Sequence, residues 1–283
     1  MAVYDNNKNR RRYKDNLIKA SIFLSAFLTV AILVWILGYV VFHGIGEIDT
    51  AFLTTEPSGD EGGVWPMILT TLYMIILAIG ISAPIGILSA IYLVEYAKPG
   101  RILRVIRFAT ESLAGIPSII FGLFGMIFFV VYLKMGWCIL SGAITLSIMV
   151  LPTIIRTTEE ALKSVPMAYR EGSLGLGATK LRTIWKCVLP SAIPGILTSV
   201  ILSIGRVVGE TAAVYLTAGM APYIPKSAFE SGRTLAVHLY LLAKEGISFE
   251  KAFATATVLI MIILVINILA NMVGRQLNKI NKV

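Results

Sequence analysis

The chain has 283 residues, of which 57% are hydrophobic and only 14% charged, with mean hydropathy +0.81. Soluble domains carry roughly 25% charged residues, so this composition excludes a soluble enzyme or a solvated binding module and specifies a membrane protein. The net charge of +9 arises from basic residues spread between apolar runs, the pattern of loops beside lipid headgroups rather than of a nucleic-acid surface.

Apolar runs long enough to cross a hydrocarbon core of roughly 30 Å occur at about 19–42, 67–95, 109–133, 138–155, 191–218 and 251–274. They predict an all-α fold with six transmembrane helices. The first run follows a basic arm, as a signal peptide would. It is too long for one and lacks a small-x-small cleavage pattern, so it is expected to be retained. Residues 1–63 then form an arm, a span and an acidic outer loop ending "PSGDEGG". Residues 64–275 form a five-span unit with short connections, and 276–283 a tail. No internal repeat is visible.

Basic residues are retained on the cytoplasmic side. The arm (Lys8, Arg10, Arg11, Arg12, Lys14, Lys19), the 96–108 turn (Lys98, Arg101, Arg104, Arg107), the 156–190 loop (Arg156, Lys163, Arg170, Lys180, Arg182, Lys186) and the tail (Arg275, Lys279, Lys282) hold most of the 25 Lys and Arg. Segment 43–66 has five acids and no Lys or Arg. Both termini are therefore expected in the cytoplasm. Cys138 and Cys187 fall on opposite sides of the membrane, which excludes a disulfide.

The 156–190 loop is expected to begin with a short helix, "RTTEEALKSVP", capped by Thr157 or Thr158 and stopped by Pro166. Gly175 and Gly177 break the chain, and Thr179 caps a new helix. There Leu181, Ile184, Trp185 and Val188 face away from Lys180, Arg182 and Lys186, and Pro190 is expected to end that helix before the fifth span. A connector resting on headgroups and a docking element for a partner fit this pattern equally well.

The fifth span contains "SIGRVVGETAAVYL". An Arg at mid-helix costs roughly 2.5–3.5 kcal/mol on insertion scales, so Arg206 and Glu210 need a reason. On a continuous helix they lie four residues apart on one face. They either neutralise each other or face a transport path, in which an Arg fork suits tetrahedral oxyanions. Ser199 and Ser203 extend the polar face, and Gly205 and Gly209 have the spacing of a close helix contact. Leu235, Leu239 and Leu242 in "SGRTLAVHLYLLAKEG" predict a helix at the outer mouth. His43 and His238 read as interfacial residues rather than ligands. No phosphate loop, HExxH or CxxC motif occurs, and no metal or nucleophilic site is visible.

Glu171, Gly177, Leu189 and Pro190 are spaced as in the EAA loop of ABC-importer permeases, with Gly172-Ser173 where that family has Ala-Ala and Cys187 where it has Ile. "APIGILSAIYLVEYA", "LAGIPSIIFGLFG", "LPTIIRTTEEALKSVP", "GRVVGETA" and "GRTLAVHLY" together resemble the permeases of phosphate-specific ABC importers. The likeness is to the PstA-type subunit more than to its PstC-type partner. The resemblance implies a MetI-like type-1 permease core that moves inorganic phosphate across a prokaryotic plasma (inner) membrane by alternating access. It implies pathway roles for Arg206 and Glu210, beside which Ser203 is a candidate. It also implies an ATPase-coupling loop of Glu171, Gly172, Gly177, Leu189 and Pro190. The implied partners are a PstC-like permease, a dimeric PstB-like ATPase that holds ATP and Mg, and an extracytoplasmic phosphate-binding protein. This chain itself is expected to be no enzyme and to hold no cofactor or metal. Another oxyanion, sulfate or molybdate, is the alternative cargo.

Overall fold

The structure, a computed structural model, describes residues 2–57 and 62–280. The linker at 58–61, the end of the tail at 281–283 and the side chains of 2–13, 273 and 275–280 lie outside the described residues, and with them most of the basic arm and tail. Among the described residues there is no strand.

Helix α1 (Ala2–Gly44) contains no proline and no glycine before Gly38, so arm and span form one rod of about 65 Å at 1.5 Å per residue. A short α2 (Thr50–Thr54), capped by the Asp49 carboxylate, follows. Helix α3 (Trp65–Ile91) continues as a π-helical turn through Tyr92–Tyr96. Next come α4 (Arg101–Ala114) and α5 (Ser118–Gly125), the latter extended by a π-helical turn over Met126–Tyr132.

The third span expected at 109–133 is not straight. α4 and the helix that begins at Ser118 meet at 100°, because Gly115 ends α4 and Pro117 has no N–H to continue it. Its residues 109–114 belong to an amphipathic helix that exposes Ile102, Val105 and Phe108 on one face and turns Arg107, Thr110 and Glu111 to the other.

Helix α6 (Ile139–Ser164) is the centre of the bundle, with α3 against one side and α9 against the other. The separate helix expected from Thr157 or Thr158 is instead the last turns of α6. Nothing interrupts it at 155, and its buried stripe continues through Ile154, Thr158 and Leu162. Thr158 is fully buried and its hydroxyl lies 3.3 Å from that of Ser199. The stop at Val165-Pro166 falls where the sequence puts it.

After α7 (Met167–Gly175), α8 (Lys180–Thr183) passes through a π-helical turn at Ile184–Val188 into α9 (Leu189–Val208). Pro190 therefore ends nothing. It stands in the first turn after the wide π turn, where its missing N–H and its ring are tolerated, and Lys180–Val208 is one apolar rod. The cap by Thr179 is present, accepting from the Arg182 N–H. On this rod Ile184 and Val188 are buried while Leu181 and Trp185 stay exposed.

Helix α10 (Ala212–Thr217), α11 (Leu235–Lys244) and α12 (Phe249–Ile280) complete the chain. α11 is more buried than a helix lying on a mouth. Leu235, Ala236, Val237, His238, Leu241 and Leu242 are all enclosed against α3 and α12. Among the described residues five helices are long and apolar enough to cross a membrane, and the bent α4–α5 pair makes a sixth if it counts as one span.

The main core joins Met74 and Ala78 of α3, Leu146, Met149, Val150 and Ile154 of α6, and Val207, Val208, Ala213 and Val214 around the end of α9. Small residues allow the close approach this needs. A Cβ on Gly86 of α3 would stand 2.6 Å from Ile154 Cγ2. The packing gathers the 96–100 turn, the end of α6, α7 and α8 at one end of the bundle. α2, Cys138 and α11 lie at the other. The two cysteines are free.

Candidate functional site

Where the bend carries α4 away from the bundle, a cleft of about 460 Å³ opens between α4, α6 and the end of α9. Arg107, Thr110 and Glu111 come from α4, and Pro152, Arg156, Glu159, Glu160 and Lys163 from α6. Arg206 comes from α9. Glu159, with a side chain only 8% exposed, binds both Lys163 Nζ at 2.6 Å and Arg107 Nη2 at 3.2 Å. Arg156 meets Glu160 one turn along at 3.3 Å, both well exposed, so that pair contributes little to stability. Two charges of the cleft remain without an ion-pair partner among the described residues: the cation Arg206 and the carboxylate Glu111.

The structure overturns the mid-helix pair. α9 stops at Val208 with Gly209 as its C-cap, and residues 210–211 are not helical. Arg206 and Glu210 therefore lie on different segments and form no salt bridge. The Glu210 carboxylate instead accepts from the Ala213 N–H at 3.2 Å, capping α10, and it does not line the cleft. Arg206 occupies the last turn of α9, where the helix dipole favours a cation. A charged side chain within a span normally faces a cavity rather than lipid, and Arg206 lines the cleft, which accounts for the charge.

Ser203 lies one turn below Arg206 but is fully buried. Its hydroxyl donates to Ser199 O at 2.8 Å, so nothing of it reaches the cleft. A Cβ added to Gly205 would meet nothing within 4 Å, so the expected close helix contact is absent from the described residues of this chain. Arg107, Glu111 and Arg156 are site residues that the sequence motifs do not mark. Arg107 and Glu111 are signalled only by a base and an acid on one face of an amphipathic α4, and Arg156 by its place one turn from Glu160 on α6.

At the α7 end a second surface forms. α7 finishes in a Schellman turn: Ala178 N–H binds Ser173 O at 3.2 Å, Gly177 N–H binds Leu174 O at 2.9 Å, and Gly177 has φ +83°. Ser173, at one of the two positions that depart from Ala-Ala, bonds its hydroxyl to that of Thr183 at 2.9 Å and ties α7 to α8. Gly172, Gly177 and Pro190 line a groove with Tyr169 and Lys186. Glu171 is exposed beside it, and Leu189 packs against the apolar floor of Leu162, Val165, Ile184 and Val188.

At the opposite end Arg233 donates to Met220 O at 3.0 Å and reaches His238 Nδ1 at 3.2 Å. Burial first, then the charges of Arg233 and Lys251, push His238 down to about 4, so it is neutral. His43 packs at a tilt against the rings of Tyr39 and Phe253 where α1 meets α12.

An apolar bundle crossed by a broken span, with a charged cleft behind it and a short helix presented beyond its end, is the layout of a membrane transport subunit. Residues 82–279 match the family described as binding-protein-dependent transport system inner membrane component, and the chain belongs to that family. It is 33% identical over 287 residues to the probable ABC transporter permease protein YqgI of Bacillus subtilis, covering 95% of this chain and 98% of that one. The phosphate transport system permease protein PstA of Pasteurella multocida is 34% identical over 275 residues, covering 95% and 97%. PstA 1 of Mycobacterium tuberculosis H37Rv is 33% identical over 273 residues, covering 93% and 88%. The fold is shared with a bacterial alginate ABC transporter chain (TM-score 0.70, 16% identity, 94% and 96% covered). It is shared also with the MetNI methionine ABC transporter (TM-score 0.59, 21% identity, 76% and 94% covered).

Proposed function

We propose that this chain is a permease subunit of an ABC importer that carries inorganic phosphate into the cytoplasm of a prokaryote, with both termini on the cytoplasmic side. The observation that carries this reading is Arg206, a guanidinium at the end of a broken span, in a cleft, with no ion-pair partner among the described residues. The chain's relatives include permeases named for phosphate transport.

A guanidinium fork holds two oxygens of a tetrahedral oxyanion and stays charged in any surroundings. At neutral pH phosphate keeps at least one proton, which a carboxylate accepts as a hydrogen bond; sulfate has none and is repelled. The sequence suggested Glu210 for that role. The cleft favours Glu111, because Glu159 and Glu160 are already paired with cations. Carboxylates beside the Arg also keep the anion loosely held, so that it leaves again.

ATP and Mg belong to a PstB-like ATPase dimer, onto which α7 docks through Glu171 and the Gly172–Gly177 turn, with Leu189 and Pro190 behind it. A PstC-like permease supplies the other half of the path, and a phosphate-binding protein delivers cargo at the α11 end. Purified with its neighbours and placed in proteoliposomes, the chain is expected to bring an ATPase with it. Labelled phosphate uptake should resist excess sulfate and molybdate. Uptake of sulfate in preference to phosphate would overturn the cargo, and absence of any ATPase would overturn the class.

A further inference from the structure

We propose that Glu95 and Arg170 are positioning residues that carry the motion of α7 into the bundle. This rests on α7 being the element that docks onto the ATPase, and it adds what happens on the helix's other face. Arg170 turns away from the groove formed by Tyr169, Gly172 and Gly177 and into the gap between α7 and the ends of α3 and α6.

Its guanidinium is used almost to capacity. Nε and Nη2 both donate to Glu95 Oε1, at 3.1 and 2.8 Å. Nη1 donates to Val165 O at 2.8 Å, and Nη2 also to Leu162 O at 2.9 Å. The two side chains are only 9% and 12% exposed. Leu162 O and Val165 O are carbonyls at the end of α6, at the negative end of its dipole, and of the two Leu162 O also accepts the Val165 N–H of the cap at 3.4 Å. Glu95 sits in the π-helical turn that ends the α3 rod.

One side chain therefore fastens three elements: α7 that bears it, the last turn of α6, and the end of α3. A second tie lies alongside, with Lys180 Nζ 4.8 Å above the Tyr96 ring. Ala90 and Ile91 of α3, Leu162 of α6 and Ile184 and Val188 beyond α8 pack beneath as one apolar floor. A displacement of α7 then moves α3 and α6 together, and α6 carries Arg156, Glu159, Glu160 and Lys163 into the cleft. Packed side chains, hydrogen bonds and rigid elements carry coupling of this kind, and a lysine, with a compact point charge, does not reproduce the planar fork that puts two donors on Glu95 Oε1 while reaching both carbonyls.

The test uses the whole complex in proteoliposomes and reads uptake and ATP hydrolysis separately. Glu95→Gln keeps the size of the side chain and leaves the bonds from Arg170 to Leu162 O and Val165 O, so the chain should insert and retain the ATPase. Arg170→Met removes the whole fastening. The expected result for Glu95→Gln is retained ATPase assembly and hydrolysis with phosphate moved per ATP reduced at least tenfold. Arg170→Met should be worse, and Arg170→Lys intermediate. Unchanged uptake per ATP in assembled Glu95→Gln complexes would overturn the proposal, as would loss of the ATPase from them, which would make the pair part of docking. The docking reading fails separately, if Glu171→Lys complexes still assemble and transport normally.

Discussion

Replacing Arg206 with Gln tests the cleft most directly, because the structure separates its effect on transport from its effect on stability. Arg206 forms no ion pair with the described residues, so its loss orphans no buried group. The stability at stake is that of a half-buried cation in the last turn of α9, at most about 2 kcal/mol. In the proposed role, the cargo would lose a charge-assisted, two-pronged contact worth roughly 1.5–3 kcal/mol. At 1.36 kcal/mol per decade that is a fall of about 10- to 100-fold in uptake rate at limiting phosphate. Arg206→Lys should recover less than half of the logarithmic loss, since a point charge does not reproduce the fork. The assay is initial uptake of labelled phosphate into proteoliposomes at matched protein, beside thermal unfolding of the purified complex. Wild-type uptake would remove Arg206 from the path, and a large drop in unfolding temperature would show that it serves the fold.

Glu111→Gln should relax rejection of sulfate, read as the sulfate concentration that halves phosphate uptake, while Glu210→Gln should leave that ratio unchanged and weaken only the start of α10. Glu159→Gln removes the anion between Arg107 and Lys163. It should cost about 1–2 kcal/mol in thermal stability, less than the 3–5 of a fully buried pair because both cations keep contact with water. Gly177→Ala has room but sits at φ +83°, so it should cost about 1 kcal/mol. Gly172→Ala, in open space within α7, should be neutral or stabilising, and circular-dichroism melting of the two variants distinguishes them. His238 has its folded pKa lowered to about 4 from 6.5. Its contribution to stability is full above about pH 6.5 and is lost as pH falls from there toward 4. Melting of wild type should show that slope, and His238→Gln, which still accepts from Arg233, should flatten it.

The sequence by itself determined the solvent, and with it most of the architecture. Lipid forces backbone groups to be satisfied within helices, so apolar run lengths gave the spans. The charge pattern anticipated which connections share an end of the bundle. Local chemistry also sufficed for the α7 turn, since Pro166, Gly177 and Thr179 act on their immediate neighbours. What the tertiary structure alone decided is where a helix stops when no residue forbids it to continue. Thr157 and Thr158 look like caps, yet burial of Thr158 against Ser199 carries α6 through them. Pro190 looks like a stop, yet a π-helical turn absorbs it. "GRVVGETA" looks like continuous helix, yet it breaks after Val208. There Val207 and Val208 on one side and Ala213 and Val214 on the other enter the same core, and the Glu210 carboxylate caps the new helix. That break separates Arg206 from Glu210, and the bend at Pro117 brings Glu111, 95 residues before Arg206 in the chain, to the cleft. Spacing along a chain fixes neighbours only while the helix persists, and whether it persists is settled by what packs against it.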